Sequence, residues 1–512
     1  MADVQEPVGA TTPSPDVDKI DYAGGGLARE TNWWGAFVVG LAGTILVTGI
    51  APIMVTTLGP ASIPLTLIVT ATGFLLILVL AELSAMMPDR TGGAPSYAYP
   101  AYKQRWPRAA KHINGATSWM YWLGWFPVAP LNMILASFYI ADRFGLNTEA
   151  GFTPINTFIA WWTLGIAAVG ICLFFIPAYL GIRTGAAFAT VLGVISMIPL
   201  TFLAVAWIFS GSADFDNVFP FTQLDGSSFF SGLDGDGWFA VYIGYMFLLS
   251  WNVIAYEAAA CYIGETKDPE RDGKIALTLE GAYGVLIYML IPIGFLAVLG
   301  ATTLSNPDLI DPNTIFVTFA GEIFNTGGEV LNWLIAAMLV IALMLSALNA
   351  IMGTGRSLHQ MSVDGQFPRF FQHINKHGVP SRAMAFNVVC SLVVVLAGGA
   401  VEIYTFSNVG YVASFVPVLI GYYLLRRMRP NVPRPFRLPE YFKYIALALA
   451  AFFAFVWLVG GIAFALIGDT LIYYFLGWVV ALAYIPLYLY RTRVEDKRTP
   501  EGSEPMLVQP VK

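Results

Sequence analysis

The sequence predicts an all-α polytopic membrane protein with twelve transmembrane helices, and three observations predict it. Of 512 residues, 57% are hydrophobic and only 12% charged, with a mean hydropathy of +0.66, a balance far from that of soluble globular chains. Apolar windows of about 20 residues, the length that crosses a bilayer, follow one another almost without gaps. The basic residues, finally, fall on one set of connecting segments.

The windows place spans at 33–58, 62–87, 113–143, 152–178, 184–211 and 237–264, then at 275–302, 329–355, 380–400, 402–427, 441–467 and 469–492. They are too closely spaced for separate soluble domains, so one transmembrane domain is expected over 31–493. Residues 1–30, rich in Pro, Asp, Thr and Gly, lack the basic start and apolar core of a signal peptide. They read as a disordered tail, and 494–512 as a second tail. With the N-terminus in the cytoplasm, all of the 27 Lys and Arg except Arg143 lie in the tails, the even-numbered loops or the cytoplasmic helix ends. Both termini are therefore expected to be cytoplasmic, in a multi-pass protein of the plasma membrane. A miscounted span before the last would invert every later loop. The opposite loops are acidic, notably the stretch with Asp214, Asp216, Asp225, Asp234 and Asp236. Exclusion of positive charge accounts for this without steering of cationic substrates.

Within this frame the stretch 46–60, LVTGIAPIMVTTLGP, breaks the rules of a spanning helix. Glycine costs about 1 kcal/mol and proline about 3 in a helix interior, and in lipid the backbone groups they release need other partners. The sixth span answers it with Ser250, Trp251, Asn252, Tyr256 and Glu257 inside an apolar run. Alone, the first interruption reads as a proline kink between packed helices. Together they predict paired non-helical stretches at 47–51 and 251–256, facing each other across a cavity. Spans one and six would be equivalent members of two five-helix halves. Five is odd, so the second half lies inverted, the architecture of transporters with broken helices and a site at the midplane. No direct similarity between the halves is visible.

Other chemistry is sparse. Cys172, Cys261 and Cys390 fall in or beside apolar helices without CxxC spacing, so neither disulfide nor metal is expected. His373 and His377 have metal-compatible spacing but no third ligand. No cofactor and no nucleic acid is expected. An embedded enzyme would need a clustered catalytic set, a channel a repeated filter or polar stripe; the carboxylates are scattered and the polarity is concentrated at the two breaks.

Three motifs carry a resemblance. LAELSAMMPDRTGGAPSYAY (80–99), YEAAACYIGETKDPERD (256–272) and GTGRSLHQMSVDGQFPRFFQHINKHGVP (353–380) resemble, in order and spacing, the amino acid, polyamine and organocation (APC) superfamily. Physically, Gly92 and Gly93 after Pro88 permit a sharp turn, and Arg356 can pair with Asp364 or a neighbouring carboxylate. The resemblance implies a permease with the fold of the leucine transporter, two five-helix inverted repeats followed by two further helices. It implies a secondary-active amino acid transporter, with polyamines or other organic amines, or sensing of amino acids without transport, as alternatives.

Unwound backbone suits an α-amino acid, because N–H groups at a half-helix start bind a carboxylate and released carbonyls accept from an ammonium or hold a cation. The family's Gly-Ser-Gly in the first span aligns here with Val47, Thr48 and Gly49. The resemblance thus implies substrate contacts from Thr48, Gly49, Ile50, Trp251 and Ile254, with Gly124, Trp125 and Phe126 of the third span. Packing is the alternative role for these aromatics. Glu257 is an intramembrane carboxylate that must be protonated, hydrogen-bonded or matched by a cation; it reads as a coupling or gating residue, or as a cap on the broken helix. Where proton-coupled relatives carry a lysine in the fifth span, this chain has Ser196. Ser346 falls where related sodium sites take a hydroxyl, although such a hydroxyl commonly bonds its own helix. The coupling ion expected is H+ ahead of Na+, or the transporter exchanges substrates without one; the remaining partner is the lipid bilayer.

Overall fold

The structure, a computed structural model, describes residues 24–498 apart from 42, 233–236, 307–308, 311–314 and 326–327. Most of the two tails, with Asp234 and Asp236, therefore lies outside the described residues. The fold is helical, with one two-residue hairpin, β1 (Gly151–Phe152) against β2 (Ile159–Ala160). Among the described residues, ten helices are long and apolar enough to cross a membrane.

The first of these, Trp33–Met86, holds two of the expected spans. It divides into α1 (Trp33–Gly40), α2 (Val47–Leu58) and α3 (Ser62–Met86), with Gly59 at φ 57° turning the chain between α2 and α3. The third span is α5 (Pro107–Trp125) continued after Pro127 by α6 (Val128–Phe144). It is preceded by α4 (Ala94–Arg105), which no apolar window announced. The helices α7 (Trp161–Tyr179), α8 (Ile182–Ala206), α9 (Trp238–Ile254) and α10 (Pro269–Leu304) follow. Next come a short α11 (Ile315–Phe324), α12 (Glu329–Val363) and α13 (Ser381–Val394). With its last turn α13 reaches 397, short for a crossing. The chain closes with α14 (Ala400–Met428), α15 (Phe442–Phe455), α16 (Gly461–Ile467), α17 (Leu471–Leu482) and α18 (Tyr484–Tyr490).

Packing sorts these helices into a centre and a rim. The pairs α3 with α10, α5 with α14 and α6 with α12 lie side by side in the interior. On α7 and α8 a stripe including Val169, Leu173, Ile176, Val191, Ile198 and Phe202 is exposed, an apolar face that no other helix covers.

The first and sixth spans run antiparallel, as the order of three contacts along the chain shows, although the bridge at their start is locally parallel. Thr31, just before α1, bridges Thr266; Gly40 lies against Glu280, which bonds Ala259; Gly43 lies against Ala255. This is the relation an inverted second half requires.

The helix breaks are present, but the first is not where the glycine and proline pointed, and the second only begins within the expected stretch, at Ala255, with Tyr256 and Glu257 inside it. Residues 47–51 are α-helical, and Pro52 sits inside α2; residues 251–254 are the end of α9. The first break lies between Gly40 and Val47, with a 3-10 turn at Thr44–Leu46. The second occupies the 3-10 segments Ala255–Cys261 and Ile263–Glu265. Both are displaced toward the end of the molecule where Thr31 meets Thr266. The reason is close approach. A Cβ on Gly43 would stand 2.0 Å from the Ala255 carbonyl oxygen, and one on Gly40 would stand 2.6 Å from Glu280 Oε2. At Gly43 only glycine lets the two backbones meet, and at Gly40 the missing Cβ leaves room for the Glu280 carboxyl.

Candidate functional site

In the first break, turn bonds use the freed amides: Gly43 N–H donates to Gly40 O at 2.8 Å, Thr44 N–H to Leu41 O at 2.9 Å and Ile45 N–H to Leu41 O at 3.2 Å. Thr48 Oγ1 donates to Ile45 O at 2.8 Å. These three amides thus bond within the chain in this conformation, and a carboxylate cradle built from them must replace turn bonds. In the second break, Tyr97 OH donates to Ala260 O at 3.1 Å and Ala259 N–H to Glu280 Oε2 at 3.1 Å.

Above the first break, on the side away from Thr31 and Thr266, is a cavity of about 290 Å³, lined by Thr48, Gly49, Pro52, Leu135, Phe138 and Glu402 among others. Aromatic rings pack behind Gly49, outside the lining itself. A Cβ on Gly49 would stand 2.9 Å from Tyr404 OH, and the Tyr404 ring meets Trp251 edge to face at 4.9 Å. Trp251 Nε1 donates to Gly124 O at 3.1 Å, so α9, α5 and α14 are tied beneath the cavity. Of the expected contact residues, Thr48 and Gly49 line this cavity. Trp251 and Gly124 lie one layer below. Ile50 and Ile254 are buried in the core, and Phe126 stacks on Trp122 at 4.3 Å.

Glu257 is fully buried in the 3-10 segment. Its Oε1 accepts from Tyr121 OH at 2.6 Å, Trp125 Nε1 at 3.0 Å and Tyr411 OH at 3.0 Å. Three neutral donors from α5 and α14 thus converge on one oxygen. The carboxyl also faces the Ala94 N–H, while Oε2 completes no hydrogen bond among the described residues. Tyr121, Tyr411 and Tyr404 were not singled out in the sequence, since nothing in their spacing shows that they meet Glu257 and Trp251. Ser196 donates to Leu192 O at 2.7 Å on its own helix. Ser346 Oγ accepts from Asn132 Nδ2 at 3.1 Å.

Toward the end that carries the arginines, buried ion pairs close the bundle. Arg90 holds Asp364 through two hydrogen bonds, at 3.2 and 2.6 Å, and Arg356 holds Glu265 with both Nε and Nη2. Glu82 receives Arg426, Arg434, Tyr422 OH and the Leu438 N–H. Of the two partners open to Arg356, it takes the neighbouring carboxylate.

A sequence model of the family described as "Amino acid permease" matches residues 32–481. Among curated proteins the chain is 26% identical over 386 residues to L-asparagine permease 1 of Mycobacterium tuberculosis, covering 71% of each chain. It is 22% identical over 360 residues to the D-serine/D-alanine/glycine transporter of Escherichia coli K12, covering 66% of this chain and 70% of that one. With mouse solute carrier family 7 member 12 it shares 26% identity over 208 residues, 40% of this chain and 43% of the mouse protein's length.

Proposed function

Because the chain belongs to the amino acid permease family, we propose that it is a secondary-active amino acid transporter that works by alternating access. The observation that carries this reading is the touching pair of breaks, Gly43 against Ala255, below a cavity on one side and above arginine-paired carboxylates on the other. Such a joint lets two half-helices swing without unpacking the bundle. Twelve crossings, a permease domain over 31–493 and cytoplasmic tails in a plasma-membrane protein complete the proposal. The arginine end is then the cytoplasmic gate, closed in this conformation, and the cavity lies on the external side. Thr48 and Gly49 face the substrate, with Trp251 and Gly124 below them.

Glu257 serves gating. It ties the sixth span to α5 and α14 through donors that are indifferent to the ligand's side chain, so it acts on the cycle and not on the choice of amino acid. Transport is coupled to protons or proceeds by exchange. Two relatives are named for small polar or small neutral amino acids, which makes these the first substrates to try, ahead of polyamines.

The test is uptake of a labelled amino acid panel into proteoliposomes, with and without proton and sodium gradients. Saturable uptake of amino acids is expected. Binding without uptake would make the protein a sensor, and uptake of polyamines alone would move it to the runner-up substrate class.

A further inference from the structure

Four glutamates have no exposure at all: Glu82, Glu257, Glu265 and Glu280. Glu82 and Glu265 are held by arginines, and Glu257 by three neutral donors. Glu280, eleven residues past the Pro269 that begins α10, has only the Ala259 N–H on Oε2. Its Oε1 has no hydrogen-bond partner among the described residues, and no ion pair reaches it there. An ionisable group so placed within a span points to function.

Its position is the joint itself. A Cβ on Gly40 would stand 2.6 to 2.8 Å from Oε2, Oε1 and the carboxyl carbon, so the carboxyl lies flat on the end of α1. Through Ala259 it also holds the second break. One side chain therefore touches both moving segments. The titratable groups that face it come from the second break: Glu257, with Cys261 and Tyr262. Beside the next residue, Gly281, α3 presents Phe74 and Ile77, and from α8 the Thr201 hydroxyl meets Tyr283 OH one turn on. No lysine or arginine is among them.

We propose that Glu280 is a proton-binding site of the transport cycle, placed where the two helix breaks touch. The proposal rests on the transporter reading and adds the coupling residue that it lacks. A carboxylate in this dry joint with one N–H partner is costly, and a carboxylic acid is not. When the joint is closed the group holds its proton. When the half-helices part and water reaches it, the O–H bond breaks and the proton leaves to that water; the return step adds one proton to the carboxylate, and no other bond changes. Closing the joint and taking up a proton are then one event.

The experiment uses full-length protein in proteoliposomes and compares two assays: accumulation of a labelled amino acid driven by an inward proton gradient, and counterflow exchange at equal pH on both sides. Glu280→Gln keeps an acceptor for Ala259 and has no charge to lose. It is expected to lose at least tenfold in gradient-driven accumulation while counterflow stays within twofold of wild type. A merely structural role would leave both assays intact, or damage both together. Accumulation at the wild-type level in Glu280→Gln would overturn the proposal, as would wild-type uptake driven by sodium and indifferent to the proton gradient. If Glu280→Gln does not fold, Glu280→Asp decides: a displaced pH midpoint of uptake is expected, and an unchanged one overturns the proposal. Wild-type vesicles that neither exchange nor accumulate any amino acid would defeat the transporter reading instead, a different result from exchange without proton dependence.

Discussion

The two ends of the broken helices handle buried charge in opposite ways. At the arginine end every fully buried glutamate has its cation: Glu265 has Arg356, and Glu82 has Arg426 and Arg434. At the joint, Glu257 and Glu280 have none, only hydroxyl, indole and amide donors. A matched pair resists change, because separating it strands a charge in a dry place. An unmatched carboxyl is stable only in company with a proton or a cation, so its state can follow the cycle. The first region is built as a latch, the second as a switch.

The latch gives the largest expected effect. Arg356→Ala leaves Glu265 buried without its cation, and removing one member of a buried pair costs about 3–5 kcal/mol. The melting temperature and folded yield in detergent should fall markedly. The pair between Arg29 and Asp89 is the internal control, since both side chains are about half exposed, at 41% and 56%. Arg29→Ala should cost about 1 kcal/mol or less. Equal losses in the two variants would erase the distinction between latch and surface pair.

Gly49→Trp tests the cavity side of the joint. With Tyr404 OH only 2.9 Å from where a Cβ would sit, the indole must occupy the cavity lined by Thr48 and Pro52. Amino acid affinity should drop at least about 100-fold, roughly 2.7 kcal/mol, while the clash with Tyr404 lowers stability by about 1–3 kcal/mol and leaves the protein folded. Normal affinity would place the site elsewhere.

Glu257→Gln tests the switch from its hydrogen-bonded side. The amide can accept from fewer of the three donors that now share Oε1, so the tie to α5 and α14 loosens. Net uptake and counterflow should both slow about tenfold, roughly 1.4 kcal/mol, with a weaker pH dependence and an unchanged ranking of substrates. Slowing of both assays separates this variant from Glu280→Gln, which spares counterflow. A change of preference from cationic to neutral amino acids would make Glu257 a specificity residue.

What the sequence disclosed follows the range of the forces involved. Spans are set by bilayer thickness, which acts residue by residue, and most were legible to within a turn or two; the fourth, expected from 152, starts only at Trp161, because the hairpin Gly151–Ala160 takes the stretch before it. The latch was half legible, since Arg356 could be expected to pair with Asp364 or a neighbouring carboxylate, but not its burial or its choice of Glu265. The first break was misplaced and the second only partly placed because Gly49, Pro52 and Trp251 look like the interruption, whereas Pro52 sits inside α2 without ending it, forgoing one helix bond. The deciding residues, Gly40 and Gly43, matter only through Ala255 and Glu280, more than two hundred positions away. Glu280 itself passed as one carboxylate near the start of a span, and α4, with Pro95 and Pro100 in a polar stretch, passed as a loop.

The smallest expected effect sharpens the comparison from outside both regions. Ser196 stands where related proton-coupled permeases are expected to carry a lysine, so coupling through α8 is the rival to coupling at the joint. In the structure its hydroxyl donates to Leu192 O, four residues back on its own helix, at 2.7 Å. A bond of that kind does little for helix stability and nothing for a neighbour. Ser196→Ala should therefore change uptake, counterflow and the pH profile of both by less than about twofold, which is under about 0.4 kcal/mol. The side chain is buried, so alanine leaves no unmatched donor behind and removes only one oxygen from a helix interior. A displaced pH profile in this variant would mean that protons act through α8, and the unmatched carboxyls at the joint would then be structural caps of the 3-10 segment, with the latch and the joint differing in composition but not in role.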